Sequence, residues 1–304
     1  MSENTKLKDF LGLKLYPRTE RPRMRGLTSV AEHSEPLPVM EGMLEAYGDY
    51  IDIVKVMISR LYEPVDCVRK MIDLLHRYKV AIQPAGPFVE IARLQNRGRE
   101  VLANLRDLGF THVEVSCSTI DTREIEEDTA FARLALDYGL QVVGEVGKKW
   151  PEGDKTRVSE DVINVEETIK QMKAYLDAGV DKFYWEGMIL RRVIGQTPED
   201  VARKRESAVA QIMPVVEAIG QDHIVFETTS QLPGGARRLM YLWFIRHFGP
   251  EVNLANCHFS DVRNIENMRH GIAPVIGLGR AGDHPWIRSI AKGNKPDADG
   301  WWQE

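Results

Sequence analysis

The chain repeats one pattern eight times: a short run of β-branched and aromatic residues precedes a longer segment of helical periodicity. The eight runs begin at Arg25, Tyr50, Val80, Thr111, Gln141, Asp181, His223 and Glu251. Most starts lie roughly 30 residues apart, which is the length of one βα unit. Repeated units of this kind require a parallel sheet with right-handed crossovers, and eight of them predict a single-domain (β/α)8 TIM barrel.

Helices are predicted where apolar residues recur with helical spacing, and many of these segments end in a glycine that suits a helix C-cap. They cover 39–48, 64–79, 99–109, 126–139, 165–179, 203–220, 236–249 and 261–271. A doubly wound open sheet is the alternative arrangement of the same units. We expect the barrel to span 1–271 and the compositionally different residues 272–304 to form an irregular C-terminal extension.

The charge balance and the apolar runs limit the class of partner. With 40 Lys and Arg against 45 Asp and Glu, the net charge of −5 gives no overall attraction to nucleic acid or to an anionic membrane. No apolar run approaches the roughly 18 residues of a membrane span, and the N-terminus lacks the apolar core of a signal peptide. Cys67, Cys117 and Cys257 are far apart and odd in number, which indicates reduced thiols. We therefore expect a cytoplasmic protein with no nucleic-acid or membrane partner.

Four consecutive predicted strands carry a glutamate near their carboxyl ends: Glu114, Glu145, Glu186 and Glu227. Active sites of (β/α)8 barrels lie at this end of the strands. Because side chains alternate across a strand, an apolar face packs on helices while the glutamates point into the barrel mouth. Buried carboxylates are costly unless they are paired or bound to a metal, and carboxylate oxygens suit Mg²⁺. Pairing with lysines or arginines of the barrel is the alternative explanation.

Basic residues are expected at the same rim. Arg25 lies in the first run, Lys55 in the second, Lys148 and Lys149 follow Glu145, and Arg191 and Arg192 follow Glu186. Carboxylates, a hard cation and several basic residues at one rim suit a small anionic substrate, most simply a phosphorylated one.

Several segments together identify a family. FLGLKLYPRTERPRMRGLTSV, GDYIDIVKV, LGFTHVEVSCSTID, GLQVVGEVGKK, VFETTSQ and WFIRHFGPEVNLANC resemble the phosphosulfolactate synthase family in order and spacing, from Phe10 to about Gly271. The resemblance implies a (β/α)8 barrel that adds sulfite to phosphoenolpyruvate with Mg²⁺, giving phosphosulfolactate, the first step of coenzyme M synthesis. It also implies a compact homo-oligomer such as a trimer. Relatives include plant heat-tolerance proteins of less clear chemistry.

The resemblance also implies roles for particular residues. The family's general acid corresponds to Lys148 in EVGKK, with Glu145 beside it in the catalytic group. Glu145 and Glu186 are the first candidates for the metal site, with Glu114 and Glu227 as further ligands or as partners of a lysine. The substrate-binding residues are expected to be Arg25, Lys55, Gln83, Ser116, Arg191, Arg192 and Asn256.

The chain departs from the family in several substrate loops. VMISRLYEPVD replaces a Gly- and Thr-rich loop after the second strand, Cys117-Ser118 replaces an aspartate-glycine, and PGGARR is inserted before Leu239. A different nucleophile adding to phosphoenolpyruvate is therefore one alternative, and a non-catalytic heat-tolerance-type homologue is another. For Cys117, a residue that fills space is favoured over a nucleophile because no adjacent histidine would activate it.

Overall fold

The computed structural model describes residues 5–13, 15, 18–116, 124–147, 163–230 and 232–272, and in this part of the chain eight parallel strands form a nearly closed barrel. Each strand lies within one of the eight runs expected from the sequence. Their bounds are β1 Thr28–Ala31, β2 Ile53–Val56, β3 Ala81–Pro84, β4 His112–Val115, β5 Gln141–Val146, β6 Lys182–Trp185, β7 Ile224–Glu227 and β8 Asn253–Cys257.

The order of the strands decides between a barrel and an open sheet. The hydrogen-bonded order is β3-β2-β1-β8-β7-β6-β5-β4, so the first strand pairs with the last. Between β3 and β4 the gap is bridged by Thr111, whose backbone N–H lies 3.0 Å from Ile82 O and whose Oγ1 accepts from Ile82 N at 2.8 Å. An open doubly wound sheet has no such pairing of its first and last strands, so the (β/α)8 barrel is confirmed.

Eleven α-helices lie in the described part of the chain, and they include all eight expected ones. The expected helices are α2 Leu37–Tyr47, α3 Val65–Arg77, α5 Gly98–Leu108, α6 Ile125–Asp137, α7 Val165–Asp177, α9 Pro198–Ile219, α10 Gly234–Phe248 and α11 Val262–Arg269. Three short helices were not predicted: α1 Leu7–Phe10, α4 Gly86–Leu94 and α8 Gly187–Ile194. The last two each begin two residues after the end of a strand, β3 and β6 respectively.

The alternation of side chains along the strands separates two environments. Outward-facing residues such as Val54, Val113 and Phe226 join the large apolar core between the barrel and its helices. Inside the barrel, a small apolar cluster consists of Val143, Tyr184, Val225 and Ala255. Most of the remaining inward positions toward the carboxyl ends are polar, so the barrel interior changes from apolar packing to a charged site along its axis.

The glycines that follow the helices have the expected capping role. Gly109, Gly139 and Gly179 have positive φ of 102°, 79° and 86°, a conformation that costs glycine no steric strain. None of the helices in the described ranges is long and apolar enough to cross a membrane. The expected extension after residue 272 lies outside the described residues.

Candidate active site

Three glutamates from three strands meet inside the barrel near its carboxyl-terminal rim. Glu114 on β4, Glu145 on β5 and Glu227 on β7 are buried, and one carboxylate oxygen from each lies within 4.8 Å of the others. All three are on the inward face of their strands, as the alternation of side chains predicted. The structure thus gathers three of the four glutamates that were expected at this rim.

Lys55 of β2 lies among these carboxylates. Its Nζ is 2.8 Å from Glu114 Oε2 and 2.9 Å from Glu227 Oε1, and the residue is only 4% exposed. Burial by itself would lower the pKa of Lys55, but the charges of Glu114 and Glu227 outweigh it and raise that pKa well above its ordinary value. Lys55 is therefore a cation at neutral pH, and it offsets part of the charge of carboxylates that would be costly to bury alone.

A second layer of polar side chains supports this ion pair. Gln83 of β3 donates from Nε2 to Glu114 Oε2 at 2.9 Å, and its Oε1 accepts from the Tyr184 hydroxyl at 3.1 Å. The same hydroxyl lies 3.1 Å from Ser29 Oγ. Lys55 Nζ lies 4.2 Å from the centroid of the Tyr184 ring, a cation–π contact. Gln83, expected to bind substrate, is thus fully buried and orients Glu114.

Glu186 follows β6 and serves as the N-cap of α8. Its Oε1 accepts a 2.8 Å hydrogen bond from the backbone N–H of Met188. Arg191 and Arg192 lie on the same helix; burial and the charge of Arg192 lower the pKa of Arg191, and Glu186 opposes them. Within the described residues, the group of carboxylates close enough to share a metal does not include Glu186. The structure therefore gives this glutamate a helix-capping position.

Ser116 directly follows β4 and makes the contact that joins α4 to the site. Its Oγ donates a hydrogen bond to Glu90 Oε1, and both residues are buried. A Cβ added to Gly86, the first residue of α4, would lie 1.8 Å from Ser116 Oγ and 3.0 Å from Glu114 Oε1. Only glycine allows α4 to approach the site this closely.

Asn256 lies at an irregularity in β8. Thr28 of β1 pairs with Leu254, whereas Val30 pairs with Cys257, so β8 has one residue more than β1 over this stretch. Asn256 has a φ of 53°, a left-handed conformation that asparagine adopts more readily than most residues. Bulges of this kind re-aim side chains beside active sites, and Asn256 lies at the expected rim.

The expectation that Arg25 lies at the same rim is wrong. β1 begins only at Thr28, so the exposed Arg25 precedes the strand and lies at the opposite, amino-terminal end of the barrel. The physical reason is the direction of the strand, because the strands are parallel and their starts lie at the end opposite the carboxyl-terminal rim. Lys148 and Cys117 lie outside the described residues. Cys257 is buried and burial raises the pKa of its thiol, which is consistent with a structural role.

Tyr184, Ser29 and Glu90 belong to the site but were not predicted from the sequence. A signal existed for Tyr184, because it is a polar residue on the inward face of a strand whose outward residues, Phe183 and Trp185, are apolar; Ser29 gave a weaker one, since its neighbour Thr28 on the outward face is also polar. Glu90 gave no signal, since an acidic residue within an unrecognised helix looks like a surface residue until its burial is known.

The arrangement combines two chemical capabilities. Carboxylate oxygens from three strands lie close enough together that they could hold a hard divalent cation. A buried ammonium held by two of those carboxylates provides a fixed positive charge inside the barrel. Rigid strands hold both groups, which favours a site that is organised before the substrate arrives.

Comparison with known proteins identifies the family. The family model described as (2R)-phospho-3-sulfolactate synthase (ComA) matches residues 16–274, a range that contains all eight strands. The phosphosulfolactate synthase of Methanocaldococcus jannaschii is 30% identical over 254 residues, covering 82% of this chain and 92% of that protein. The phosphosulfolactate synthase of Methanothermobacter thermautotrophicus is 26% identical over 257 residues, covering 84% and 93%. Protein HEAT-STRESS-ASSOCIATED 32 of Arabidopsis thaliana is 22% identical over 275 residues, covering 83% and 88%.

Two of these relatives have enzyme names, which indicates that this chain is an enzyme. Both are matched over nearly their whole length, and the family model extends from before the first strand to beyond the last described helix. The motifs, the barrel and these matches agree, and the chain belongs to the (2R)-phospho-3-sulfolactate synthase family.

Proposed function

We propose that this protein is a phosphosulfolactate synthase, a lyase that joins sulfite to phosphoenolpyruvate to give phosphosulfolactate, the first step of coenzyme M synthesis. The observation that carries the proposal is the buried Lys55 held between Glu114 and Glu227 at the rim of a barrel of this family. Both proposed substrates are anions, and the fixed Lys55 ammonium would contribute to their binding once a cation offsets the carboxylates around it.

The donor set fits the Mg²⁺ that the reaction is proposed to need. Glu114, Glu145 and Glu227 offer oxygen atoms within 4.8 Å of one another, and hard carboxylate oxygens are what Mg²⁺ prefers. Lys55 carries one positive charge against these three carboxylates, so an additional cation would improve the charge balance. When bound, Mg²⁺ supplies positive charge for the substrate carboxylate on which negative charge builds.

The reaction forms one carbon–sulfur bond. A lone pair of the sulfite sulfur attacks the methylene carbon of phosphoenolpyruvate, and the electrons of the double bond move toward the substrate carboxylate. Lys55 holds the anionic substrate in place for this attack, which lowers the entropic cost of bringing the two anions together. The neighbouring carbon then takes a proton, and the product retains its phosphate.

Lys148 is the proposed source of that proton. It follows Val146, the last residue of β5, by two positions in the sequence, and the family resemblance implies this role for it. Its ammonium gives a proton to the carbon beside the new bond and recovers one from solvent. We expect Lys148→Ala to reduce turnover by at least a hundredfold while far-UV circular dichroism and the melting temperature stay unchanged.

The neighbouring Lys149→Ala is the matched control for that experiment, because it removes the same charge one position along the chain. It should retain most of the activity. Equal losses in the two variants, or full activity in Lys148→Ala, would remove Lys148 from the role of general acid.

One observation favours a different nucleophile as the second candidate function. The segment after β2, where the sequence departs from the family, forms a 3₁₀ helix over Ile58–Tyr62, and Arg60 fixes it to Glu32 with a 2.8 Å ion pair. A substrate loop rebuilt in this way could accept another anion while the addition to phosphoenolpyruvate is kept.

The test compares nucleophiles directly. Purified protein is mixed with phosphoenolpyruvate and Mg²⁺, and consumption of phosphoenolpyruvate is followed with sulfite, with other small nucleophiles, and with EDTA in place of the metal. Fast consumption of phosphoenolpyruvate only in the presence of both sulfite and Mg²⁺ supports the proposal. A faster reaction with another nucleophile favours the second candidate, and no loss with any of them favours a non-catalytic homologue.

A further inference from the structure

One continuous chain of hydrogen bonds crosses the interior of the barrel beneath the ion pair. It links Ser29, Tyr184, Gln83, Glu114 and Lys55, with successive distances of 3.1, 3.1, 2.9 and 2.8 Å. All five residues are buried. These hydrogen bonds therefore connect the lysine on β2 to four other strands: β1, β6, β3 and β4.

The directions of these hydrogen bonds follow from chemistry. Glu114 is a carboxylate beside Lys55, so it accepts, and Gln83 must present its Nε2 donor to it. The Gln83 Oε1 atom then faces Tyr184, whose hydroxyl must donate to it. The single proton of that hydroxyl is used, so Ser29 must donate to Tyr184. Burial raises the pKa of Tyr184 to about 12, which keeps the tyrosine a donor at neutral pH.

Tyr184 also contacts the lysine directly. Lys55 Nζ is 4.2 Å from the centroid of its ring, while the hydroxyl of the same side chain is bonded to Gln83. The ring of Tyr184 thus contacts the Lys55 ammonium. Its hydroxyl, through the Gln83 amide, orients Glu114, one of the two carboxylates that hold this ammonium. In the reverse orientation the Gln83 oxygen would face the Glu114 carboxylate, an unfavourable contact of two acceptors.

We propose that Tyr184 is a positioning residue for substrate binding: its hydroxyl fixes the Gln83 amide, and this orientation holds Lys55 between Glu114 and Glu227. The inference rests on the proposed function in taking Lys55 as the substrate-binding cation. It extends that function by assigning a role to a residue outside the substrate and metal groups. A buried polar network of this kind is effective only when every member is satisfied, so loss of one hydroxyl disturbs the others.

Tyr184→Phe tests the role because it removes the hydroxyl and keeps the ring. We expect the KM for phosphoenolpyruvate to rise about tenfold with a smaller change in kcat, since the hydroxyl acts on binding and not on proton transfer. Tyr175→Phe is the matched control. Tyr175 is also fully buried, and its hydroxyl donates to the backbone oxygen of Val115 at 3.2 Å on the outer side of the barrel. This control should lose similar stability and keep its KM.

A double-mutant cycle separates positioning from general destabilisation. If Tyr184 acts through Gln83, then Tyr184→Phe should add little to the rise in KM already caused by Gln83→Met. If the rise in KM in the double variant equals the product of the rises in the two single variants, the proposal is overturned. An unchanged KM in Tyr184→Phe would overturn it as well.

A readout without substrate keeps this test independent of the proposed reaction. In protein labelled with ¹⁵N-lysine, the Lys55 ammonium resonance should shift or broaden in Tyr184→Phe and stay in place in Tyr175→Phe. A resonance unmoved by Tyr184→Phe contradicts the positioning role even when the enzyme is active. A shifted resonance without sulfite-dependent turnover supports the positioning role and refutes only the proposed function.

Discussion

Replacing Lys55 with methionine probes the charge balance on which the site depends. Methionine keeps much of the apolar stem and its packing over the Tyr184 ring, but it removes the ammonium that lies 2.8 and 2.9 Å from two buried carboxylates. Glu114, Glu145 and Glu227 then remain within 4.8 Å of one another without this cation. The variant isolates the cost of the missing charge.

The magnitude follows from removing one partner of a buried ion pair. The free energy that is lost is the attraction of the ammonium for carboxylate oxygens at 2.8 and 2.9 Å, less the cost of burying the ammonium. Breaking a buried ion pair in this way costs about 3–5 kcal/mol in measured cases. For a chain of this length, about 2 °C of melting temperature corresponds to 1 kcal/mol, so we expect Lys55→Met to melt roughly 6–10 °C lower.

The assay is thermal unfolding followed by circular dichroism, with Lys55→Met/Glu227→Gln as the second variant. Removing one carboxylate charge along with the ammonium should restore part of the loss. The pKa of Lys55 is raised in the folded state, so its contribution is present below pH 10.5 and is lost only as the pH rises through the folded value. The difference from the parent protein should therefore be the same from pH 6 to pH 9. A melting temperature lowered by less than about 2 °C would refute the reasoning.

Two further predictions concern other parts of the barrel. Gly86→Ala should lower kcat/KM and reduce the free energy of unfolding by about 1–3 kcal/mol, because its Cβ would lie 1.8 Å from Ser116 Oγ. Gly42→Ala in α2, which has open space around it, should leave the free energy of unfolding unchanged or raise it. Equal behaviour of the two variants in urea unfolding would contradict the close approach of α4. Burial lowers the pKa of His112 to about 4, so the unfolded chain takes up the proton first and stability falls as the pH drops from 6.5 toward 4. Between pH 7 and pH 5 the unfolding free energy of His112→Gln should therefore fall by about 2 kcal/mol less than that of the parent protein. An equal fall in both proteins would count against a buried neutral imidazole.

The eight strands could be predicted because most of them are short β-branched or aromatic runs with alternating faces, and each is followed by a helical pattern. Glu114 and Glu227 were placed correctly by that parity alone. The expected helices were found because their apolar spacing is long enough to be recognised. In contrast, α4 and α8 are short and each begins two residues after the end of a strand, so their residues gave no periodic signal distinct from a loop.

The site was only partly predictable because the local sequence of a strand does not determine its contacts with strands that are distant in the chain. Arg25 was placed at the wrong end of the barrel because its position at the start of the run RGLTSV was disregarded, and the start of a parallel strand lies opposite the carboxyl-terminal rim. Glu186 follows the same pattern as the other glutamates, yet it caps α8, a helix that had not been expected. The pairing of Lys55 with both Glu114 and Glu227 depends on the closure of the barrel, because β2 and β7 belong to one sheet only through the pairing of β1 with β8.

The most direct test of the proposed function is to identify the product. Phosphoenolpyruvate and isotopically labelled sulfite are incubated with the protein and Mg²⁺, and the mixture is analysed by ³¹P NMR and mass spectrometry. The account predicts one new organic phosphate that contains the labelled sulfur and keeps its phosphoryl group, formed by the parent protein and not by Lys148→Ala. Release of inorganic phosphate, or a phosphorylated product without the label, would contradict it.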